Sequence, residues 1–262
     1  MSDVVASAGR GTSDHLTWSL PAWLGDRALP TFRVRDTRSA QGRFDRRFKT
    51  VTVADLVLAH GHPCDGLLRG VWAMRALADV AFAEEGFDRS DLLVVSKNSP
   101  CLGDVAAYLT GGRTRFGTHR LDDRLGVGFQ VQRLSTREAW EVREAPNFFP
   151  DVIAAWEADL LRAGRDDSEM SELLAVHEAA QWDWVREVLL PSAPRDNYTV
   201  RRLDRLDPPA ALMEARRTDT VNRLIPPPRD AFSPDDPDAG AGAEDPAVQR
   251  RWRQRYDAGP DA

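Results

Sequence analysis

The 262-residue chain has two cysteines and five histidines, and three of these seven residues fall in one segment, His60-Gly61-His62-Pro63-Cys64-Asp65-Gly66. Imidazole and thiolate are ligands for soft and borderline divalent cations, and a thiolate is also a strong nucleophile. A spacing of two residues places His60, His62 and Cys64 on one face of an extended segment. Pro63 biases His62 toward that extended conformation, and Gly61 and Gly66 permit turns at its ends. Cys64 then stands at the start of a helix, where unpaired amide groups and the helix dipole favour the thiolate. Three soft or titratable groups set among Gly and Pro have little packing value, so the segment is read as a site.

A second group, Cys101-Leu102-Gly103-Asp104, follows an apolar run and opens a helix, with Cys101 and Asp104 on a shared helix face. A lone free cysteine is more often buried packing than chemistry, and Cys101 acquires meaning only beside Cys64. If the two junctions meet over one pocket, His60, His62, Cys64 and Cys101 become candidate ligands for a divalent metal, zinc first among them. In the same arrangement Cys64 is nucleophile or ligand, His62 ligand or base, and Asp104 the group that orients or activates. Metal ligation, thiol chemistry and a reversible Cys64–Cys101 disulfide all stay open. His119 is placed near the site or on a solvated strand end. His177, beside Val176 on a helix, reads as a surface or core histidine, and Gly111-Gly112 as a helix stop.

The elements that must position these residues follow from periodicity and end signals. Thr52 with Asp55 forms a capping-box pair that opens a helix, and Gly61 closes it. Three- and four-residue apolar spacing predicts a long helix over Leu67 to Glu85. Leu92 to Val95 is a short apolar run, the pattern of a buried strand. Ser99 and Pro100 start a helix through Tyr108 that ends at Gly111. Leu125 to Val131 alternates as a strand, Asp122-Asp123 turns into it, and Arg137 to Val142 returns. Helical spacing resumes from Phe149 to Leu190, and Asn197 to Leu203 reads as a last strand. The fold class is therefore α+β, an antiparallel meander packed with helices.

Around a core of residues 45–205, residues 1–44 read as an extension docked through Trp18 and Trp23. Arg35 to Lys49 reads as a basic, solvated loop or edge. Residues 206–262 form a second extension, largely disordered from about 226, with a short helix over 249–256. The net charge of -6 gives no basic surface for nucleic acid or an anionic membrane. No apolar run approaches the roughly 20 residues of a membrane span. The N-terminus has no export signal and two cysteines make no disulfide framework, which places the chain in a reducing cytoplasm. Its Ala, Arg, Gly and Pro content with little Lys points to a bacterial source.

The string His60-Gly61-His62-Pro63-Cys64-Asp65-Gly66, followed by Gly70, resembles the H-G-H-x-C-x-G-x-x-x-G signature of the FmdE family of formylmethanofuran dehydrogenase proteins. Cys101-Leu102-Gly103-Asp104 and Leu109-Thr110-Gly111 are similar to that family's C-x-x-D…L-T-G block, and the likeness extends over about residues 45–205. It implies an α+β core, commonly dimeric, whose cleft is lined by His60, His62, Cys64, Cys101 and Asp104. The clustered His/Cys segment, without the ligand pattern of a structural zinc site, points to action on a small molecule; the family resemblance implies, as the alternative, an accessory, metal-handling subunit of a molybdenum or tungsten oxidoreductase. The paired-cysteine zinc module found C-terminally in many members has no counterpart here, because no cysteine follows Cys101.

Overall fold

The structure, a computed structural model, describes residues 20–37, 47–162 and 168–206. Trp18, the expected disorder beyond 226 and the expected helix over 249–256 lie outside the described residues. The described elements run α1 (Ala22–Gly25), β1 (Thr31–Arg35), β2 (Lys49–Thr52), α2 (Val53–His60), α3 (Asp65–Ala81), β3 (Phe87–Asp88), β4 (Leu92–Ser96) and α4 (Pro100–Thr110). They continue with β5 (His119–Leu121), β6 (Gly128–Arg133), β7 (Ala139–Glu144), α5 (Asp151–Arg162), α6 (Ser168–Trp184), α7 (Pro194–Asn197) and β8 (Tyr198–Leu203). Among them, no helix is long and apolar enough to cross a membrane.

The architecture is the expected α+β mixture. A five-stranded sheet has the order β5-β4-β6-β7-β8, and β4, β6, β7 and β8 pair antiparallel as a meander. Its edge departs from expectation: β5 pairs parallel to β4, with Val94 opposite His119. A parallel neighbour needs a crossover, and α4 supplies it. β4 is buried at every position because it has a core on each face. Leu92 and Val94 join the main core, while Leu93 and Val95 pack with Leu125 on the other side. That two-sided burial is why its sequence is a continuous apolar run rather than an alternation.

A second sheet, β2-β1-β3, forms where the sequence shows mostly charge. Only Phe32 and Val34 of β1 are buried, so the strand offers two apolar residues among basic ones. The ends of the stretch expected to be a solvated basic loop or edge, Arg35 and Lys49, belong to paired strands, with Lys49 on the edge strand β2. Trp23 docks on the body, its ring 5.1 Å from that of Trp182.

α3 is the central helix and packs against β6, β7, β8 and α4. It starts two residues earlier than predicted, because the Cys64 sulfur caps it by accepting from the Leu67 amide at 3.3 Å. It also stops earlier than Glu85. Phe82 leaves the helical conformation at φ -135° and buries its ring against Phe87 and Trp140. Arg69, in the second turn of α3, ties the helix to β7 through a two-pronged contact with Glu144 at 2.9 and 2.6 Å, and lies 3.9 Å over the Phe149 ring. The Tyr198 hydroxyl donates to the same carboxylate at 3.1 Å.

Glu141 sits on the opposite face of β7 from Trp140 and Val142, and its side chain is almost wholly covered. Burial opposes its ionisation. Hydrogen bonds from Arg143, Arg201 and Gln130 outweigh that cost and hold its pKa at about 2, below the ordinary 4.5. A carboxylate with a depressed folded-state pKa adds stability above the unfolded value, and that stability is lost as pH falls through the folded value. Stability to urea is therefore expected to drop as pH falls from about 4.5 towards about 2. Glu141→Gln should flatten that acid limb and lower stability at neutral pH. An unaltered pH profile of the urea midpoint in the variant would contradict the assignment.

Candidate metal and thiol centre

The capping box predicted at Thr52 is formed in full. The Thr52 amide donates to Asp55 at 2.8 Å, and the Asp55 amide donates to Thr52 Oγ1 at 3.2 Å. With its start fixed there, α2 runs to His60, and Gly61 ends it in the left-handed region at φ 103°. His60 is thus helical, which corrects the expectation of one extended face through His60, His62 and Cys64. The chain turns back at Gly61, and this turn, not alternation, brings Cys64 Sγ to 3.7 Å from His60 Nε2.

Cys101 arrives from the β4–α4 junction, in the first turn after Pro100. Two glycines on α3, one turn apart, set how close α4 comes. A Cβ at Gly70 would lie 3.0 Å from Leu102 Cδ2, and one at Gly66 would lie 3.1 Å from Cys101 Sγ. With both positions bare, the helices approach until Cys64 Sγ and Cys101 Sγ stand 3.4 Å apart, each thiol half-buried and unbridged.

Asp104, one turn beyond Cys101, reaches His60 rather than either sulfur: its Oδ2 is 2.7 Å from His60 Nδ1. An ionised carboxylate can only accept, so Nδ1 carries the hydrogen, and in the neutral ring Nε2 then presents its lone pair toward Cys64. The ligand atoms of His60, Cys64 and Cys101 all lie within 4.8 Å of one another. A tetrahedral zinc with Zn–S near 2.3 Å and Zn–N near 2.0 Å spaces its sulfurs about 3.8 Å apart and sulfur from nitrogen about 3.5 Å. The observed 3.4 and 3.7 Å fit that frame with shifts of a few tenths of an ångström. The carboxylate behind the histidine is the usual support for a metal-binding imidazole. His62 is outside this group of three. It is exposed, with its ring 4.6 Å from that of His60.

The two sulfurs share a hydrogen bond and cannot ionise independently. Donation from Cys64 lowers the Cys101 thiol to about 6 against burial, with help from His60. The same bond, then burial, raises Cys64. The pair gives up a first proton readily and holds the second.

A cavity of about 410 Å³ opens beside the sulfurs, lined by Cys64 and Cys101 and also by His62, Lys97, His177 and Gln181. His177 and Gln181 are one turn apart on α6 and only 9% and 8% exposed. The sequence reading of His177 as an ordinary helix histidine missed this position. No local sequence signal marked it: only the fold shows that Leu174 and Val176 on α6 face solvent while the His and Gln are covered, the reverse of an amphipathic helix built for packing. His119 is buried elsewhere, its Nε2 2.8 Å from Ser96 Oγ, with burial lowering its pKa.

Residues 59–187 match the family model described as FmdE, Molybdenum formylmethanofuran dehydrogenase operon. Among solved structures, the chain is similar to a tungsten formylmethanofuran dehydrogenase FmdE-like protein from Syntrophus aciditrophicus. The identity is 19%, the match covers 58% of this chain and 70% of that one, and the TM-score is 0.36. No curated protein matches the chain.

The thiol pair has a direct test. In metal-free protein, iodoacetamide should alkylate one sulfur much faster than the other, with a rate that rises as pH passes about 6. Cys64→Ala removes the donor and should move the Cys101 profile back towards the ordinary thiol range. Peptide-resolved mass spectrometry reads both, and an unshifted profile in the variant would rule out the shared proton.

Proposed function

We propose that this protein, whose residues 59–187 match the FmdE family model, binds one divalent metal ion, zinc by preference, on His60, Cys64 and Cys101 and acts on a polar small molecule in the adjoining cavity. The observation that carries the reading is the convergence of three ligand atoms within 4.8 Å, beside a cavity, with Asp104 fixing the histidine behind them. Structural zinc sites are normally closed by four protein ligands, whereas catalytic ones keep a position open. Among the described residues this group has three members, and the cavity adjoins it. The ion, when bound, would supply Lewis acidity to an oxygen of the substrate.

The chain's own residues have separable tasks. Asp104 holds the His60 tautomer that keeps Nε2 available. Gly66 and Gly70 admit α4, so that Cys101 reaches Cys64. His177 and Gln181 offer hydrogen bonds inside the cavity and orient the substrate's polar groups. Lys97 and His62, both exposed, stand at the solvent side of the same cavity. His62, proposed from the sequence as ligand or base, fits the second role better, since it lies outside the three-residue group. A second reading is favoured by the family's description with a molybdenum enzyme operon: the protein serves as an accessory subunit of a larger oxidoreductase. Turnover by the purified protein alone would argue for the first reading, and stable co-purification with such an enzyme for the second.

Metal content decides the core of the proposal. Untagged protein should carry about one zinc per chain, while Cys64→Ser and His60→Ala should carry little. Asp104→Asn should weaken binding by about 10- to 100-fold, the usual effect of removing the group behind a metal-binding histidine. His62→Ala should retain the ion. Elemental analysis and competition with a chromophoric chelator measure all four, and metal-free wild type that also fails to take up zinc would end the proposal.

A further inference from the structure

The sulfurs of Cys64 and Cys101 stand 3.4 Å apart with nothing covalent between them. A disulfide needs about 2.0 Å between sulfurs, so closure is a matter of roughly 1.4 Å. Both residues begin helices, and the space around Cys101 Sγ is kept open by the missing side chain at Gly66. Each thiol is half-buried, and both line the open cavity, so a small reagent can reach them. His60 Nε2 lies 3.7 Å from Cys64 Sγ, and Asp104 Oδ2 lies 2.7 Å from its Nδ1, so the neutral ring offers Cys64 a nearby proton acceptor.

We propose that Cys64 and Cys101 form a reversible dithiol–disulfide couple that exchanges with small aliphatic disulfides, and that its oxidised form cannot hold the metal. The first half stands on the sulfur geometry alone, whereas the second rests on the metal site proposed above. One protein thiolate attacks a sulfur of the small disulfide, whose S–S bond breaks and releases a thiolate. The remaining protein thiol passes its proton to His60 and attacks the mixed disulfide. The second small thiolate leaves and the intramolecular S–S bond is made. The protein is oxidised by two electrons and the small disulfide is reduced to two thiols, which take up the two protons lost by the cysteines. Two of the three ligands are consumed by the new bond, which leaves only His60 of the cluster.

Oxidised glutathione serves as the probe on full-length protein, in metal-free and zinc-loaded form. Metal-free wild type should lose both alkylatable thiols and two hydrogens in mass. Digestion should yield one linked peptide pair containing Cys64 and Cys101, and dithiothreitol should restore both thiols. Cys64→Ser and Cys101→Ser should each stop at a single glutathione adduct. Zinc-loaded protein should react at least 10-fold more slowly, and oxidised protein should take up no zinc until reduced. Stable glutathione adducts on the wild type without a linked pair, or a link only between two chains, would overturn the couple. If reduced wild type binds no zinc, the metal reading fails while the metal-free arm still judges the disulfide.

Discussion

The site depends on how closely α4 can lie against α3. Helix axes usually stay about 8–10 Å apart because side chains fill the space between them. At Gly66 and Gly70 that filling is absent, and Leu102 and Cys101 come within contact of the bare backbone. A methyl group at Gly66 would press on the Cys101 sulfur, and one at Gly70 on the Leu102 side chain. The constraint is steric, yet its product is chemical: two thiols from different helix starts share one hydrogen bond and bracket one imidazole. The Arg69–Glu144 contact, between these glycines in sequence, fixes the same stretch of α3 to the sheet.

Polarity is then distributed in a consistent direction. His60 has an almost fully covered side chain, while the Asp104 carboxylate behind it is half open to water. Water can therefore carry part of the cost of the charge on Asp104, and the imidazole between carboxylate and sulfur transmits its influence without a second buried charge. The cavity on the other side of the sulfurs is finished by α6 with His177 and Gln181. A histidine and a glutamine on a largely covered cavity wall are the kind of polar groups that orient a small ligand among apolar neighbours.

Much of this was legible in the sequence because the signals were local. The Thr52/Asp55 box, Gly61, Pro100 and Gly111 marked the ends of α2 and α4 to within a residue or two, and the HGHPCDG segment supplied two of the three clustered residues. What escaped needed knowledge of distance. Spacing alone suggested an extended His60-His62-Cys64 face, and the helix that the capping box had already predicted overrode it by carrying through His60. β1 and β2 hid because two buried residues among basic ones make no clear alternation. The parallel β5 edge was invisible because register between β4 and β5 is set by a crossover, not by either strand. His177 was passed over because a periodic reading assumes that the covered face of a helix is the apolar one.

The three clustered residues and Asp104 all come from a stretch that ends at position 104, while the polar wall of the cavity arrives with α6, more than seventy residues later. Domains emerge from the ribosome N-terminal end first, and contacts close in sequence form sooner than distant ones. The thiols and the imidazole are thus assembled as one local unit before the residues that wall them off are made. In evolutionary terms, the His/Cys cluster and the polar groups that α6 adds to the cavity are written in separate parts of the gene, and either can drift while the other is held.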